Sequence, residues 1–346
     1  MKRPIRVLVV DDSLLFRELL VQNLNQNPDI EVVATAGDPY EARDAIIAYK
    51  PDVMTLDIEL PRMSGLEFLR KLMPQYPLPV LVISALSDKV FDCIHAGAVD
   101  FVAKPSNPAP GQLQEFISRE LPDKIRTVST VQVSGRKKPK TRISPKKNGT
   151  GSVCNPGMVI AIGASTGGTE AIANVIEEFD TDIPGIVIVQ HMPEGFTKMS
   201  AARLDRQCRI HVKEAKTGDV VQQGTALLAP GGDAHMELVE VNGTYQVMIK
   251  KGPKVNGHCP SVDVLFRSVA RTAGTNALGI ILTGMGADGA KGLLDMRHEG
   301  AETIGQDPST CVVYGMPKVA YEIGAVKYQE KLPNIARKTY QLLHKA

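Results

Sequence analysis

The chain has no tryptophan, and aromatic residues make up only 5% of its 346 residues. Its five cysteines (Cys93, Cys154, Cys208, Cys259 and Cys311) are odd in number and nowhere spaced C-x-x-C. That excludes a disulfide framework or a zinc ribbon as the organising device and fits a reducing, cytoplasmic compartment. Long apolar runs are missing too. Stretches such as Val187 to Val189 fall far short of the ~20 residues that cross a bilayer. The opening MKRPIRVLVVDD is too poor in apolar residues for a secretory signal. Neither sign of charge dominates: 40 Lys and Arg face 38 Asp and Glu, a formal +2. This balance argues against a nucleic-acid coat protein and against an acidic disordered chain. The expectation is a cytoplasmic protein with no membrane insertion and no nucleic-acid partner. At roughly 100–200 residues per domain, the length predicts two domains.

Residues 5 to 121 alternate short apolar runs with segments of helical period. The runs Ile5 to Val10, Ile30 to Thr35, Val53 to Leu56, Val80 to Ile83 and Val99 to Val102 read as strands. Strands apolar throughout and separated by helices imply a parallel sheet covered on both faces, a flavodoxin-like α/β unit of five strands. Residues 123 to 156 are rich in Lys, Arg, Gly, Pro and Ser without periodicity and read as a flexible basic linker. From Gly157 to Ala346 the βα rhythm resumes, which predicts a second doubly wound α/β domain. Val212 to Ile249, with short alternating segments and Gly turns, predicts an antiparallel hairpin excursion within it.

Asp11 and Asp12 end the first strand and Asp57 the third. The carboxyl ends of parallel strands share one edge, so these three carboxylates should converge. Clustered carboxylates repel unless a hard cation sits among them, and Mg²⁺, with its preference for oxygen ligands, is the natural occupant. Ser84 and Lys104 end the fourth and fifth strands and would contact an anionic group carried by one aspartate. Each residue alone has an ordinary reading as helix cap, turn residue or solvated charge. Jointly, VVDDS, TLDIELPRMSGLEFL and DFVAKP resemble the response-regulator receiver domain over residues 4–122. The resemblance implies that Asp57 is the phospho-acceptor. It implies Mg²⁺ held by Asp12, Asp57 and the Glu59 backbone carbonyl, with Asp11 acting through water. Ser84 and Lys104 would read the phosphoryl oxygens, Phe101 would be the coupled aromatic switch, and Lys104 to Pro105 a candidate cis peptide. The stretch from Ser84 to Lys104 is about one helical turn short for a receiver.

A second constellation begins at VIAIGASTGGTEAI, a buried strand, a Gly-rich turn and a helix. Gly163 to Gly167 satisfies G-x-S-x-G, the spacing of a nucleophile elbow at Ser165. The same pattern also suits a plain N-cap or a phosphate-cradling loop. A serine nucleophile needs a base and an acid behind it. His191 ends the next strand, while His235 and His258 also lie in turn-like contexts and compete for the role; placement at a strand end favours His191. Asp288 in ILTGMGADGA follows another buried strand. The order Ser, His, Asp argues against the common α/β-hydrolase fold.

IGASTGGTEAI, QHMPEGFT, APGGDAHMEL, HCPSVDVLF, ILTGMGADGA and CVVYGMPKVA together resemble the catalytic domain of the chemotaxis protein-glutamate methylesterase family over residues 157–346. The receiver in front completes that family's domain order. The resemblance implies Ser165 as nucleophile, His191 as base, Asp288 as orienting acid, and backbone amides of Thr166 and Met285 as oxyanion donors. His235 and His258 become structural or rim residues, and Cys259 stands where the family commonly carries Arg. The implied activity is demethylation of glutamate γ-methyl esters, with deamidation of glutamines, on methyl-accepting chemotaxis receptors. It would need no cofactor for ester hydrolysis and would be switched on by a chemotaxis histidine kinase that phosphorylates Asp57 and so uncovers the Ser165 cleft. The alternative is a catalytically silent phosphate sink or scaffold.

The small total charge is an average of unlike parts. Residues 1–123 carry 12 basic and 18 acidic side chains, residues 124–156 carry 9 and none, and residues 157–346 carry 19 and 20.

Overall fold

A computed structural model describes residues 3–85, 87–104, 112–133 and 157–344. The chain divides into two compact units, 1–142 and 143–346. Most of the expected linker, and the Lys104 to Pro105 bond, lie outside the described residues.

The first unit runs β1 (Ile5–Val10), α1 (Leu14–Leu24), β2 (Ile30–Ala36), α2 (Pro39–Tyr49), β3 (Val53–Asp57), α3 (Gly65–Leu72), β4 (Val80–Ser84), α4 (Lys89–Ala96) and β5 (Asp100–Ala103). α5 (Gln112–Glu115) then passes through a π-helical turn (Phe116–Glu120) into α6 (Leu121–Ser129). All five strands are parallel, in the order β2-β1-β3-β4-β5. β3 and β4 are buried at every position, as continuous apolar runs demand of strands covered on both faces. Helix starts are capped locally: Ser13 accepts from the Phe16 amide, Asp38 from those of Tyr40 and Glu41, and Ser64 from that of Glu67. α4 has only eight residues, in keeping with the short Ser84 to Lys104 spacing.

The last helix departs from expectation. Residues 124–129, read as linker from their basic composition, are helical in α6 and bury Ile125 and Val128 alongside Leu121. Lys124 pairs with Asp100 at 2.5 Å, and Arg126 with Asp29 at 2.7 Å.

The second unit begins β6 (Val159–Ala164), α7 (Gly168–Ile176), β7 (Gly185–Gln190), α8 (Phe196–Gln207), β8 (His211–Glu214), β9 (Thr225–Leu228), β10 (Ala234–Val241) and β11 (Thr244–Lys251). It continues with α9 (Val262–Ala273), β12 (Ala277–Ile281), α10 (Ala290–His298), β13 (Glu302–Gln306), α11 (Met316–Glu322), β14 (Tyr328–Glu330) and α12 (Leu332–Leu343). Seven strands form one sheet ordered β14-β13-β12-β6-β7-β9-β8, with every pairing parallel. Apolar layers pack on both faces, one around Ile160, Ile172 and Ile188, the other around Val187, Phe266 and Leu293. β10 and β11 pair antiparallel as a separate ribbon. The expected antiparallel excursion over Val212 to Ile249 holds for this pair and for Val220, which bridges antiparallel to Gln246 of β11; β8 and β9, expected to belong to it, join the parallel sheet instead. β7 and β12 flank β6 on opposite sides, so the strand order reverses there. Such a switch point opens a crevice at the strands' carboxyl ends.

Candidate active site and phospho-acceptor pocket

Ser165, His191 and Asp288 come from the three strands that meet at the reversal. Gly163 and Ala164 of β6 pair with Val189 and Gln190 of β7, so Ser165 and His191 leave adjacent strands in register. The His191 amide donates to Ala164 O at 3.1 Å, and the Ser165 amide donates to Thr283 O at 3.0 Å, just beyond β12. Gly284 lies against Ser165: a Cβ there would stand 2.8 Å from Ser165 Cβ and 2.3 Å from Met316 Sδ. Gln190 Nε2 donates to Ser165 O at 2.9 Å and to His191 O at 3.1 Å, tying the two turns together.

His191 Nε2 lies 2.8 Å from Asp288 Oδ2, and both side chains are at least nine-tenths buried. His191 Nδ1 is buried without a hydrogen-bond partner. No hydrogen bond links Ser165 Oγ to His191 among the described residues; strand register is what brings them together. Catalytic hydrogen bonds of this kind commonly close only around substrate.

Asp288 accepts four further hydrogen bonds. Oδ1 receives Ser261 Oγ (2.7 Å), Asn256 Nδ2 (2.9 Å) and the Asp263 amide (3.2 Å), and Oδ2 receives the Val262 amide (2.7 Å). The carboxylate thus occupies the N-terminus of α9, where free amides and the helix dipole favour negative charge. Burial works to raise its pKa, but the hydrogen bond and charge of His191, with Asn256 and Ser261, outweigh burial and hold it well below the usual aspartate range.

The competing histidines are placed elsewhere in the network. The His258 ring stacks on that of His191, with centroids 3.7 Å apart and planes 14° from parallel. His235, on β10, bonds the Ser261 amide and the Pro253 carbonyl. Asn256 and Ser261 were not anticipated from the sequence. The N-G of the turn and the S-V-D at a helix start marked local structure, but not that both side chains point at an aspartate some thirty residues later.

In the first unit, Asp11, Asp12 and Asp57 bring carboxylate oxygens within 4.8 Å of one another. Ser13 takes the role of helix cap, which leaves Asp12 exposed and available. Lys104 Nζ bridges the pocket, 2.6 Å from Asp11 Oδ2 and 2.7 Å from Asp57 Oδ2. Burial raises the Asp11 pKa, and contact with Lys104 offsets only part of that rise. Burial would lower Lys104, but its bonds to the two aspartates hold it above the usual lysine range. The Glu59 amide donates to Asp57 Oδ1 at 3.1 Å, so residue 59 lines the pocket through its backbone. Ser84 is buried, and its carbonyl accepts from the Lys104 amide at 2.7 Å. Phe101 is buried edge-on to Phe91, with centroids 6.2 Å apart. Gly65 carries no distinguishing signal in the sequence: its Cβ would lie 2.1 Å from the Asp57 carbonyl oxygen, so only glycine permits α3 to start against Asp57.

Family models match both units. Residues 160–339 match the CheB methylesterase family, and residues 7–117 match the response regulator receiver domain. A protein-glutamate methylesterase/protein-glutamine glutaminase 2 of Syntrophomonas wolfei is 57% identical over 99% of this chain and 98% of its own length. A protein-glutamate methylesterase/protein-glutamine glutaminase of Salmonella typhimurium is 46% identical over 96% of this chain and 95% of its own. The crystal structure of the Thermotoga maritima CheB methylesterase catalytic domain aligns with TM-score 0.52 and 38% identity, covering 54% of this chain and 98% of that one.

Proposed function

Since the chain belongs to the CheB methylesterase family and carries a response regulator receiver domain, we propose that it is a phosphorylation-activated serine hydrolase. Its substrates are glutamate γ-methyl esters, and specific glutamines, on methyl-accepting chemotaxis receptors. The observation that carries this reading is the convergence of Ser165, His191 and Asp288 from β6, β7 and the β12 loop, with Asp288 fixed on His191 Nε2.

The roles follow from proton bookkeeping. Asp288 can only accept, so Nε2 carries the proton and Nδ1 is the basic nitrogen. As Ser165 Oγ attacks the ester carbonyl, Nδ1 takes its proton, and the imidazolium is stabilised by the buried carboxylate. The carbonyl oxygen becomes an oxyanion received by the amides of Thr166 and Met285. His191 then protonates the leaving oxygen, and methanol departs. Water, deprotonated by the same nitrogen, cleaves the acyl-enzyme and leaves a free glutamate. With glutamine the leaving group is ammonia, and the remaining steps are the same.

Activation is assigned to Asp57. Three clustered carboxylates are an all-oxygen donor set, which suits Mg²⁺. Asp12, Asp57 and the Glu59 carbonyl would hold the ion, with Asp11 acting through water. Bound there, it would neutralise charge as a phosphoryl group passes from a chemotaxis histidine kinase to Asp57. Lys104 and Ser84 would receive the phosphoryl oxygens, and Phe101 would follow Ser84. Among the described residues no helix is long and apolar enough to cross a membrane, and this reading puts the enzyme in the cytoplasm beside the receptors. The test is methanol release from methylated receptor membranes, with and without a small phosphodonor. Wild type should release methanol faster with the donor, and Ser165→Ala should release none while Asp57 is still phosphorylated. Turnover that survives Ser165→Ala sinks the reading.

A further inference from the structure

His235 is at least nine-tenths buried on β10 and contributes no atom to the steps above. Its two ring nitrogens have unlike partners. The Ser261 amide, which can only donate, lies 3.1 Å from Nδ1; the Pro253 carbonyl, which can only accept, lies 2.9 Å from Nε2. Only one protonation state satisfies both: a neutral imidazole with its proton on Nε2.

Those two partners are the two ends of one loop, residues 253–261. Within it, Asn256 Nδ2 bonds both Asp263 Oδ2 (2.7 Å) and Asp288 Oδ1 (2.9 Å). His258 stacks on the catalytic imidazole. At its end, the Ser261 hydroxyl is spent on Asp288 rather than on capping α9. The loop therefore touches both His191 and Asp288, and one buried side chain closes it at both ends.

We propose that His235, as the neutral Nε2–H tautomer, is a positioning residue for the triad: by pinning residues 253 and 261 it sets the Asp288 carboxylate and the stacked His258 against His191. The antiparallel β10–β11 ribbon is then the arm that orients the catalytic acid. This inference rests on the triad reading, and misplacement of a catalytic group by about 1 Å costs on the order of 100-fold in rate.

The test uses the full-length chain and three substitutions. His235→Asn keeps an acceptor near the Nδ1 position, His235→Gln keeps a donor near the Nε2 position, and His235→Leu keeps neither. The expected kcat falls by ~10-fold for Asn and Gln and ~100-fold for Leu, with KM changed less than threefold. The downfield proton resonance of the His191 Nε2–H···Asp288 bond should shift or broaden in the same order, a readout that general loss of stability does not grade in this way. Nitrogen-15 spectra of wild type should show His235 protonated at Nε2 alone. A folded His235→Leu protein with wild-type kcat and an unmoved His191 resonance overturns the proposal. So does an Nδ1–H tautomer of His235 in wild type, which needs no variant to fold and no turnover to measure. Failure of the triad reading itself would register separately, as turnover by Ser165→Ala.

Discussion

Replacing Asp288 by Asn changes one oxygen into an amide group and nothing in shape. If the new NH₂ takes the Oδ2 position, it faces His191 Nε2 and the Val262 amide. The Val262 N–H loses its acceptor, and the imidazole must reverse its tautomer, which puts the proton on the nitrogen that should be the base. If the NH₂ takes the Oδ1 position, the Ser261 hydroxyl can turn to accept, but the Asp263 amide loses its acceptor, and the exposed Asn256 is left with Asp263 Oδ2 alone. One buried donor is orphaned either way, so a loss of about 1–3 kcal/mol is expected in urea unfolding of the full chain. Catalysis should suffer more, by about 10³–10⁴ in kcat, because tautomer control or imidazolium stabilisation is lost. The assay is single-turnover methanol release at saturating phosphodonor. The stability difference also carries a pH signature. Because the folded Asp288 pKa is depressed, its contribution is complete above the ordinary aspartate value of ~3.9 and is lost as pH falls through the folded value. The gap between wild type and Asp288→Asn should be flat from neutral pH to about 4.5 and should narrow below that. A folded Asp288→Asn enzyme within tenfold of wild-type kcat would falsify the assignment of Asp288 as orienting acid.

Gly284→Ala places a methyl 2.8 Å from Ser165 Cβ and 2.3 Å from Met316 Sδ. It should cost ~1–3 kcal/mol through overpacking and ~100-fold in kcat through displacement of the nucleophile, measured by denaturation and by methanol release; a neutral result would mean the turn yields freely. Lys104→Ala removes the ammonium between Asp11 and Asp57, and the ratio of esterase rates with and without phosphodonor should fall toward one. A ratio equal to wild type would remove Lys104 from the switch.

Much of this was legible in the sequence because it depended on order along the chain. Apolar runs give parallel strands, their ends share an edge, and residues such as Asp11, Asp57, Ser165 and His191 that terminate those runs must meet there. What was missed depended on pairing direction or on distant partners. Val212 is buried while His211 and Lys213 on either side of it are less so. That alternation suits a parallel edge strand as well as a hairpin, so period alone could not separate β8 from the antiparallel ribbon. Leu121, Ile125 and Val128 keep helical spacing into the basic stretch, where the run of Lys and Arg masks that periodicity. The five donors around Asp288 are spread over 191–263 and have no sequence signature beyond their motifs, since the fold alone assembles them.

In the roles proposed above, Asp57 and Ser165 are two nucleophiles placed alike in unlike surroundings. Asp57 and Ser165 both stand at the carboxyl end of a buried parallel strand beside a glycine without room for a Cβ, Gly65 in one case and Gly284 in the other. Around Asp57 the neighbours are an ammonium that its aspartate partners hold protonated and the carboxyl groups of Asp11 and Asp12. Lys104, held protonated, would not readily serve as a base to activate water against a phosphoryl group on Asp57. Around Ser165 the neighbour is an imidazole with one nitrogen committed to Asp288 and the other unpartnered, a group able to take up and return a proton within each turnover. In the proposed mechanism the two sites therefore differ in whether the group facing the nucleophile gives up and takes back a proton in each turnover.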